Sequence, residues 1–280
     1  MKLQITTLIE NNPDDKKRLI NEHGLSLYIE VDGINILFDT GQTGDFIRNA
    51  EILKKDLNIL DYIIISHGHY DHSGGLKKLV NKLSKYPRLI VGEEFFKPKY
   101  KRIDKLTYKY NGNPLDEGFI LDKNIYLNMV KEDIFFISEN IMIFHHFTRR
   151  NNFEKRNDKF FIVEKGLKIH DDFDDEIVLG VVTKKGMVVI VGCSHVGIAN
   201  ILTSISEKTG IPIYSVVGGT HLFEADENRM QKTIEVFRSM NIKLIALSHC
   251  TGEEGIKRIK EEFTKEFIYN NTGNIIVIDD

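Results

Sequence analysis

The feature that most constrains the fold is the stretch IIISHGHYDHSGGL, residues 63–76. Its apolar run predicts a short strand that is buried on both faces. Immediately after that strand, three histidines and one aspartate fall within six residues: His67, His69, Asp71 and His72. Neutral imidazoles and carboxylates are the ligands that a borderline cation such as zinc prefers. The sequence therefore predicts a core strand that ends in a metal-binding turn.

The spacing of these four residues favours two metal positions. In a tight turn, the alternation sends His67 and His69 one way and Asp71 with His72 the other, so each pair faces its own cation. A two-metal site lowers the pKa of a bound water and polarises a carbonyl or phosphoryl oxygen. Surface histidines in a loop are the plain alternative, and the cluster of four potential ligands directly after a buried strand disfavours it.

The rest of the N-terminal half also indicates strands. LSLYIEV and INILFDTG flank Asp32-Gly33, which predicts a hairpin. After the signature, Gly74 and Gly75 allow a tight turn. LKKLVNKLSK then predicts an amphipathic helix, and RLIVGEEFF predicts another strand.

The C-terminal half repeats a strand-then-helix unit three times. The three apolar strands are GMVVIVGCSH, IPIYSVVGGTH and IKLIALSH, and they end in His195, His221 and His249. In layered α/β folds, sites form at the carboxyl ends of the strands. We therefore expect these three histidines to lie along one shared rim.

The pattern H-x-H-x-D-H resembles the signature of the metallo-β-lactamase superfamily, and the resemblance covers nearly the whole chain. It implies an α/β fold, a four-layer αββα sandwich with metals at one edge of its two sheets. Within the superfamily, EHGLSLYIE, SHGHYDHSGGL, GCSHVGIANIL, VVGGTHL and SHCTG resemble one branch more closely. That branch is often labelled 7,8-dihydropterin-6-methyl-4-(β-D-ribofuranosyl)aminobenzene-5'-phosphate synthase, and its other members are called only metal-dependent hydrolases.

On this resemblance, the simplest assignment uses six metal ligands. One metal is expected on His67, His69 and His195, and the other on Asp71, His72 and His249. Asp39, in ILFDTG, would hold a ligand imidazole through its other ring nitrogen. Asp71 and His221 are the candidate catalytic residues. For His221 the alternatives of a ligand, an acid-base group, a substrate contact and a structural histidine stay open.

The chain departs from the usual pattern at Cys193, which stands where the superfamily has an aspartate that bridges the metals. A small buried residue beside the ligands is the favoured interpretation of Cys193, and a thiolate ligand is the alternative. The usual third ligand lies well upstream of that position. His145, His146 and His170 are the only upstream candidates, so His195 is assigned instead, and one bridging position is left open.

Weaker signals lie between residues 93 and 175, a region that we expect to be an irregular insertion or lid within a single domain of residues 1–280. The basic run from Lys97 to Lys109 is interpreted as a solvated surface, or else as a lid that attracts an anionic aromatic substrate. Arg149 and Arg150 are candidate phosphate contacts. HDDFDDE, residues 170–176, is interpreted as a solvated acidic turn, and an acidic metal site with Asp171 or Asp172 is the alternative.

Composition limits the partners. A net charge of −3 gives no global basic field, so nucleic acid is not expected as a partner. No stretch approaches the roughly 20 apolar residues of a membrane span. Two cysteines form no disulfide framework, which favours a reducing cytoplasm. The expected partners are an anionic small molecule and a second copy of the chain, in a homodimer through residues 93–175.

The predicted function is that of a metal-dependent hydrolase with two divalent ions. Zn²⁺ is favoured, although Mn²⁺ and Fe²⁺ suit the same ligands. The substrate is expected to be a phosphorylated or ester small molecule. A synthase-type transferase of the branch described above is one alternative, in which the metals activate a diphosphate. A non-catalytic metal-binding or sensing protein is the other alternative.

Overall fold

The computed structural model describes residues 1–280, and the chain divides into two compact units. The first unit comprises Met1–Lys131, Asn157–Asp175 and Asn271–Asp279. The second unit comprises Glu132–Arg156, Glu176–Asn270 and Asp280. Each unit has its own seven-stranded sheet, so each group of candidate ligands can be traced to the elements that carry it.

The strands, in chain order, are β1 Lys2–Ile9, β2 Ser26–Val31, β3 Ile34–Phe38, β4 Tyr62–Ile65, β5 Arg88–Gly92, β6 Lys99–Arg102, β7 Tyr108–Tyr110, β8 Leu127–Val130, β9 Ile134–Phe136, β10 Ile141–Phe144, β11 Phe160–Glu164, β12 Leu167–His170, β13 Val178–Thr183, β14 Gly186–Val191, β15 Ile213–Gly218, β16 Leu244–Leu247, β17 Phe267–Tyr269 and β18 Ile275–Asp279. The helices are α1 Phe46–Ile52, α2 Tyr70–Ser73, α3 Leu76–Lys82, α4 Glu117–Asp122, α5 Ile198–Thr209, α6 Glu227–Ser239 and α7 Gly252–Glu262. Short 3₁₀ turns cover Leu57–Ile59 and His249–Thr251.

The large sheet of the first unit has the order β18-β1-β2-β3-β4-β5-β8. β2 and β3 form the predicted hairpin, and Asp32 and Gly33 turn between them with φ angles of 48° and 82°. Left-handed φ at both positions is what a two-residue hairpin turn requires. β3, β4, β5 and β8 run parallel, and β4 is the predicted buried strand. The predicted helix after the signature is α3, which packs Leu76, Leu79 and Val80 into the core of this unit.

The region from residue 93 to 175 is more regular than its sequence indicated. It supplies the first unit with an antiparallel four-stranded sheet in the order β12-β11-β6-β7. β11 contains the apolar run FFIV, whereas β6 and β7 are rich in charged and aromatic residues. Aromatic contacts join these strands, as in Tyr100 with Tyr110 and Tyr108 with Phe161. The same region also contributes α4 and β8 to the first unit and β9 and β10 to the second. Its role as a lid stays a prediction.

The sheet of the second unit has the order β17-β16-β15-β14-β13-β10-β9. β14, β15, β16 and β17 run parallel, and α5, α6 and α7 follow the first three of them, as the repeated strand-then-helix pattern predicted. Parallel strands end at the same edge of a sheet. The residues that follow β14, β15 and β16 therefore emerge along one edge of this unit.

None of the helices is both long enough and apolar enough to cross a membrane.

Candidate metal centre

The signature turn of the first unit is buried. β4 ends at Ile65, and the chain then passes through Ser66 and the signature into the single-turn helix α2. All four signature side chains are buried, namely His67, His69, Asp71 and His72. Burial of so many polar groups on one turn is costly unless each has a partner or binds a metal. The turn is therefore built for a specific polar task.

His67 and His69 present two ring nitrogens to one point. His67 Nε2 lies 3.1 Å from His69 Nδ1. Two nitrogens that each lie about 2.0–2.1 Å from a tetrahedral zinc ion are separated by a little over 3 Å. An imidazole-imidazole hydrogen bond has the same length, so the distance suits a metal without requiring one.

Asp39 holds two of the signature histidines. Its Oδ2 lies 2.6 Å from His72 Nδ1 and accepts the proton of the Ser66 hydroxyl at 2.8 Å. A carboxylate only accepts, so His72 carries its proton on Nδ1. Since Ser66 Oγ gives its own proton to Asp39, it accepts from His67 Nδ1 at 2.9 Å. Both imidazoles therefore present Nε2 as the nitrogen with a lone pair, which is the form that binds a metal.

The pKa of His67 supports the same protonation state. Burial, and then the neighbouring imidazoles of His72 and His69, hold the pKa of His67 well below its usual value. The ring is neutral at pH 7, and a ligating histidine must be neutral.

Asp71 has a neighbour that the sequence did not reveal. His23 Nε2 lies 3.1 Å from Asp71 Oδ2, and His72 Nε2 lies 3.8 Å from the same oxygen. His23 stands in the loop before β2, and no spacing links it to the signature. Asp71 and His72 therefore form one pair and His67 and His69 form another, although the His67 and His72 rings also approach to 4.3 Å.

The glycines after the signature have a different role from the one expected. Gly74 and Gly75 both have ordinary helical backbone angles, so they do not serve to permit an unusual turn. A Cβ on Gly74 would lie 2.1 Å from Gln42 O, and one on Gly75 would lie 2.2 Å from Thr40 O. Glycine is needed here because the backbone that follows β3 passes against the turn.

The second unit presents its candidates at the ends of three parallel strands. The His195 and His221 ring centroids are 4.5 Å apart, and Phe223 lies beside His221 at 4.8 Å. Ser194, His221 and His249 have φ angles of 59°, 49° and 53°. Non-glycine residues in this left-handed region carry strain, and such strain gathers at functional sites. No feature of the sequence predicted these angles.

The cysteines of the second unit lie among the candidate ligands. Cys193, His249 and Cys250 have potential ligand atoms within 4.8 Å of one another. Cys250 Sγ accepts from His221 N at 3.3 Å and donates to Cys193 O at 3.4 Å, so this thiol fastens two of the strand ends together. Cys193 is buried, and its role as a small packing residue or as a thiolate ligand stays a prediction.

Three side chains form hydrogen bonds with the backbone of the segment that carries His195 and leads into α5. Glu176 accepts from His195 N at 2.7 Å and from Val196 N at 2.8 Å, while Arg149 donates to the carbonyls of the same two residues at 3.1 and 2.9 Å. Glu154 accepts from the first N–H groups of α5, at Ala199 and Asn200. Arg149 therefore supports a candidate ligand, and Arg150 pairs with Glu207 at the surface. Whether either arginine contacts a phosphate stays a prediction.

Two predictions about charged segments were wrong at particular residues, although Lys105 and Lys109 of the basic run are exposed as expected. Lys99, in the basic run, is buried in the first unit, with its Nζ 2.8 Å from both Asp171 Oδ2 and Asp175 Oδ1. Asp171, Asp175 and Glu176 are buried, so HDDFDDE is not a solvated turn, although its Asp172 and Asp174 are exposed. The ammonium group of Lys99 and backbone N–H groups are the partners of these carboxylates. A run of charged residues in the sequence does not reveal such pairing.

The upstream alternatives for the third ligand contact other side chains of their own units. These alternatives are His145, His146 and His170. His145 is buried, with its ring stacked on His146 at 4.0 Å, and His146 Nδ1 lies 3.1 Å from Asp133 Oδ1. His170 stacks on Phe161 at 4.6 Å.

Comparisons with known proteins agree on one family. The model of the metallo-beta-lactamase superfamily matches residues 20–199. A protein of Methanocaldococcus jannaschii, named 7,8-dihydropterin-6-methyl-4-(beta-D-ribofuranosyl)-aminobenzene-5'-phosphate synthase, is 32% identical and covers 98% of this chain and 96% of its own. A second protein of that organism, the uncharacterized protein MJ0448, is 29% identical, with 98% of this chain and 100% of its own covered.

A solved structure matches along the whole chain. Tm1679, described as a metal-dependent hydrolase of the beta-lactamase superfamily, is 31% identical and superposes with a TM-score of 0.86, covering 99% of this chain and 100% of that chain. This match confirms the predicted fold class.

Proposed function

The chain belongs to the metallo-beta-lactamase superfamily, and on that premise we propose that it is a metal-dependent hydrolase with a dinuclear centre. Its substrate is a phosphorylated or ester small molecule. The observation that carries the proposal is the paired support of the signature, in which Asp39 and Ser66 set His67 and His72 in the ligating tautomer. A fold that had kept only a scaffold role would have no need for this arrangement.

Six residues are proposed to hold the two ions. The first ion takes His67, His69 and His195, and the second takes Asp71, His72 and His249. The imidazole and carboxylate donors suit Zn²⁺ best, and they also suit Mn²⁺ and Fe²⁺. When bound, such ions lower the pKa of water and polarise the oxygen of a phosphoryl or carbonyl group.

The residues around the two ions would orient the ligands and the attacking water, and one of them would transfer a proton. Asp39 keeps the His72 proton on Nδ1, and His23 holds Asp71 in place at 3.1 Å. His221 is buried, and its backbone N–H is held by Cys250 Sγ. We propose that Asp71 orients the attacking water through a carboxylate oxygen and that His221 supplies a proton to the leaving group.

Metal analysis tests the proposal directly. Metal content per chain is measured by mass spectrometry on protein purified without chelator or added metal, beside His67→Ala and His249→Ala variants. The expected result is two ions in the wild type and about one or fewer in each variant. A wild type with little metal, unchanged by either substitution and not restored by zinc, manganese or iron, would sink the proposal.

A synthase-type transferase is the second candidate. It is favoured by the 32% identity, over 98% of this chain, to the protein named as a dihydropterin-ribofuranosylaminobenzene-phosphate synthase. The metals would then activate a diphosphate leaving group. Turnover of chromogenic phosphodiesters, lactones and thioesters with added zinc or manganese separates the two candidates. A loaded protein that is silent on all of them favours the synthase, or a protein that binds metal without catalysis.

The proposal extends to the cellular compartment, the charge of the substrate and the oligomeric state. Both cysteines are free thiols in a buried environment, which suits a reducing cytoplasm. The substrate is proposed to be anionic, with Arg150 as the candidate phosphate contact because it lies at the surface, and Arg149 as a less exposed one. A homodimer through residues 93–175 also stays a proposal, and sedimentation measures it.

A further inference from the structure

We propose that Asp175 and Glu176 are positioning residues for the metal ligands, one for each ligand-bearing loop. This inference rests on the proposed dinuclear centre. The two residues are neighbours in the sequence, at the end of the segment HDDFDDE. Each makes its contacts within its own compact unit. In each, a buried carboxylate accepts hydrogen bonds from the backbone of a loop that carries a candidate ligand.

Asp175 holds the first ligand pair. Its Oδ2 accepts from Gly68 N at 2.7 Å, and Gly68 is the residue between His67 and His69. A Cβ on Gly92, at the end of β5, would lie 2.1 Å from Asp175 O, so the Asp175 backbone is pressed against a core strand. The carboxylate thus links the H-x-H backbone to a rigid element, and Asp175 itself is fully buried.

Lys99 and Asp171 complete this support. Burial alone would lower the pKa of Lys99, but the charges of Asp175 and Asp171 outweigh it and raise that pKa above its usual value. Lys99 therefore stays charged and offsets the cost of burying the carboxylates. Asp171 Oδ1 accepts from Phe173 N at 2.8 Å, and the Phe173 ring meets the His69 ring edge-on at 5.5 Å. Phe173 has a φ of 60°, so the segment is held in a strained shape against a ligand.

Glu176 does the same for His195. Its two carboxylate oxygens each accept one N–H of the consecutive residues His195 and Val196, at 2.7 and 2.8 Å. Arg149 takes the carbonyls of those two residues, so both polar sides of the loop are fixed. Glu176 is buried, and a buried carboxylate that binds two successive N–H groups permits little rotation of the peptide between them.

The two contacts converge on one prediction. His67, His69 and His195 are the proposed ligands of the first ion, and Asp175 and Glu176 support the loops that carry them. Loss of either carboxylate should therefore weaken the binding of the first ion more than the binding of the second. Partners that orient metal ligands typically change metal affinity by about 10–100-fold.

The test measures zinc alone, in competition with a colorimetric chelator, on the full chain. We expect Asp175→Ala and Glu176→Ala each to raise the Kd of one of the two zinc ions by about 10–100-fold and to leave the other within about 3-fold. Asp175→Asn and Glu176→Gln keep one acceptor each and should recover part of the loss. Asp174→Asn removes a charge from the exposed neighbour and should leave both Kd values within about 2-fold of wild type.

Two further readouts separate positioning from folding. Cobalt(II) replacement should show a changed d–d absorption band for the first ion in Asp175→Asn and Glu176→Gln, and not in Asp174→Asn. The melting temperature of the metal-free variants records any general loss of stability. Equal weakening of both ions in proportion to that loss would overturn the inference, and so would wild-type Kd values in both alanine variants. A wild type that binds no zinc would instead overturn the proposed function, and this inference with it.

Discussion

The two units carry their candidate ligands in opposite ways. In the first unit, all four signature residues lie on one turn after β4, and the protons of two of them are set by a single carboxylate, Asp39. In the second unit, His195, His221 and His249 follow three separate strands with a helix between each pair. The first arrangement depends on tight local backbone, and the second depends on the parallel register of β14, β15 and β16.

This difference has a physical consequence. A contiguous turn keeps its ligands together through short-range geometry, so a change at one close backbone approach should disturb all of them. Dispersed ligands are each held by their own supports, such as Glu176 and Arg149 for His195 and Cys250 for the His221 backbone. Loss of one support should therefore disturb one ligand and spare the others.

The largest expected effect breaks the contiguous turn. A Cβ on Gly74 would lie 2.1 Å from Gln42 O, so Gly74→Ala should force the backbone apart and destabilise the chain by about 3 kcal/mol or more. The measurement is the urea midpoint of the metal-free protein. The control is Gly118→Ala in α4, where the nearest atom is Asp116 Oδ1 at 3.2 Å and the change should stay within about 1 kcal/mol. Equal midpoints for the two variants would contradict the importance of this close approach.

The next effect sharpens the role of Asp39. Asp39→Asn keeps the size of the side chain but places an amide group among Ser66 N, Ser66 Oγ and His72 Nδ1, all of which need an acceptor. One donor then meets another donor, so we expect the zinc Kd to rise by about 10–100-fold. Chelator competition measures it. The control is Asp61→Asn, an exposed residue whose carboxylate accepts from Asn35 N. An unchanged zinc Kd in Asp39→Asn would show that the signature holds its tautomers without this carboxylate.

The same contrast explains what sequence reasoning could reach. The hairpin, β4, α3 and the three strand-then-helix repeats were predicted because period, turn residues and strand-end position are local properties. The candidate ligands and the contact of Asp39 with an imidazole came from the signature and its resemblance.

Other features depend on tertiary contacts that the sequence does not show. Lys99 and Asp175 read as surface charges, because their pairing spans 76 residues of sequence. His23, Ser66 and Glu176 were missed for the same reason: each acts through a neighbour that no spacing rule connects to it. The only local hint was the unusual density of acidic residues in HDDFDDE.

A smaller effect tests whether supports in the second unit act one ligand at a time. Arg149→Met removes the guanidinium that binds the carbonyls of His195 and Val196. Since Glu176 still holds the N–H groups, we expect only about a 3–10-fold rise in the Kd of one zinc ion. Arg150→Met, the neighbour that pairs with Glu207, should leave both zinc Kd values unchanged and raise KM if the substrate carries a phosphate there. A loss of both ions in Arg149→Met would contradict independent support.

The smallest effect concerns an ion pair between two helices of the second unit, and its loss should leave the candidate ligands undisturbed. Glu227 on α6 and Arg258 on α7 form a two-point ion pair at 2.8 and 3.0 Å, and this hydrogen bonding and charge lower the pKa of Glu227. A lowered carboxyl pKa means that the stabilisation is complete above the usual value of 4.5 and is lost as the pH falls through the folded value. Glu227→Gln should therefore have a slightly lower urea midpoint than wild type at pH 7, a difference that shrinks on acidification below pH 4.5 and in high salt.

The zinc Kd of this variant should stay within about 2-fold of wild type, because an exposed pair of this kind contributes little beyond its own helices. A midpoint difference that grew on acidification would contradict the stabilising role of this ion pair. A zinc Kd that changed in Glu227→Gln would show that the strand-end ligands also depend on α6 and α7 and are not held one by one.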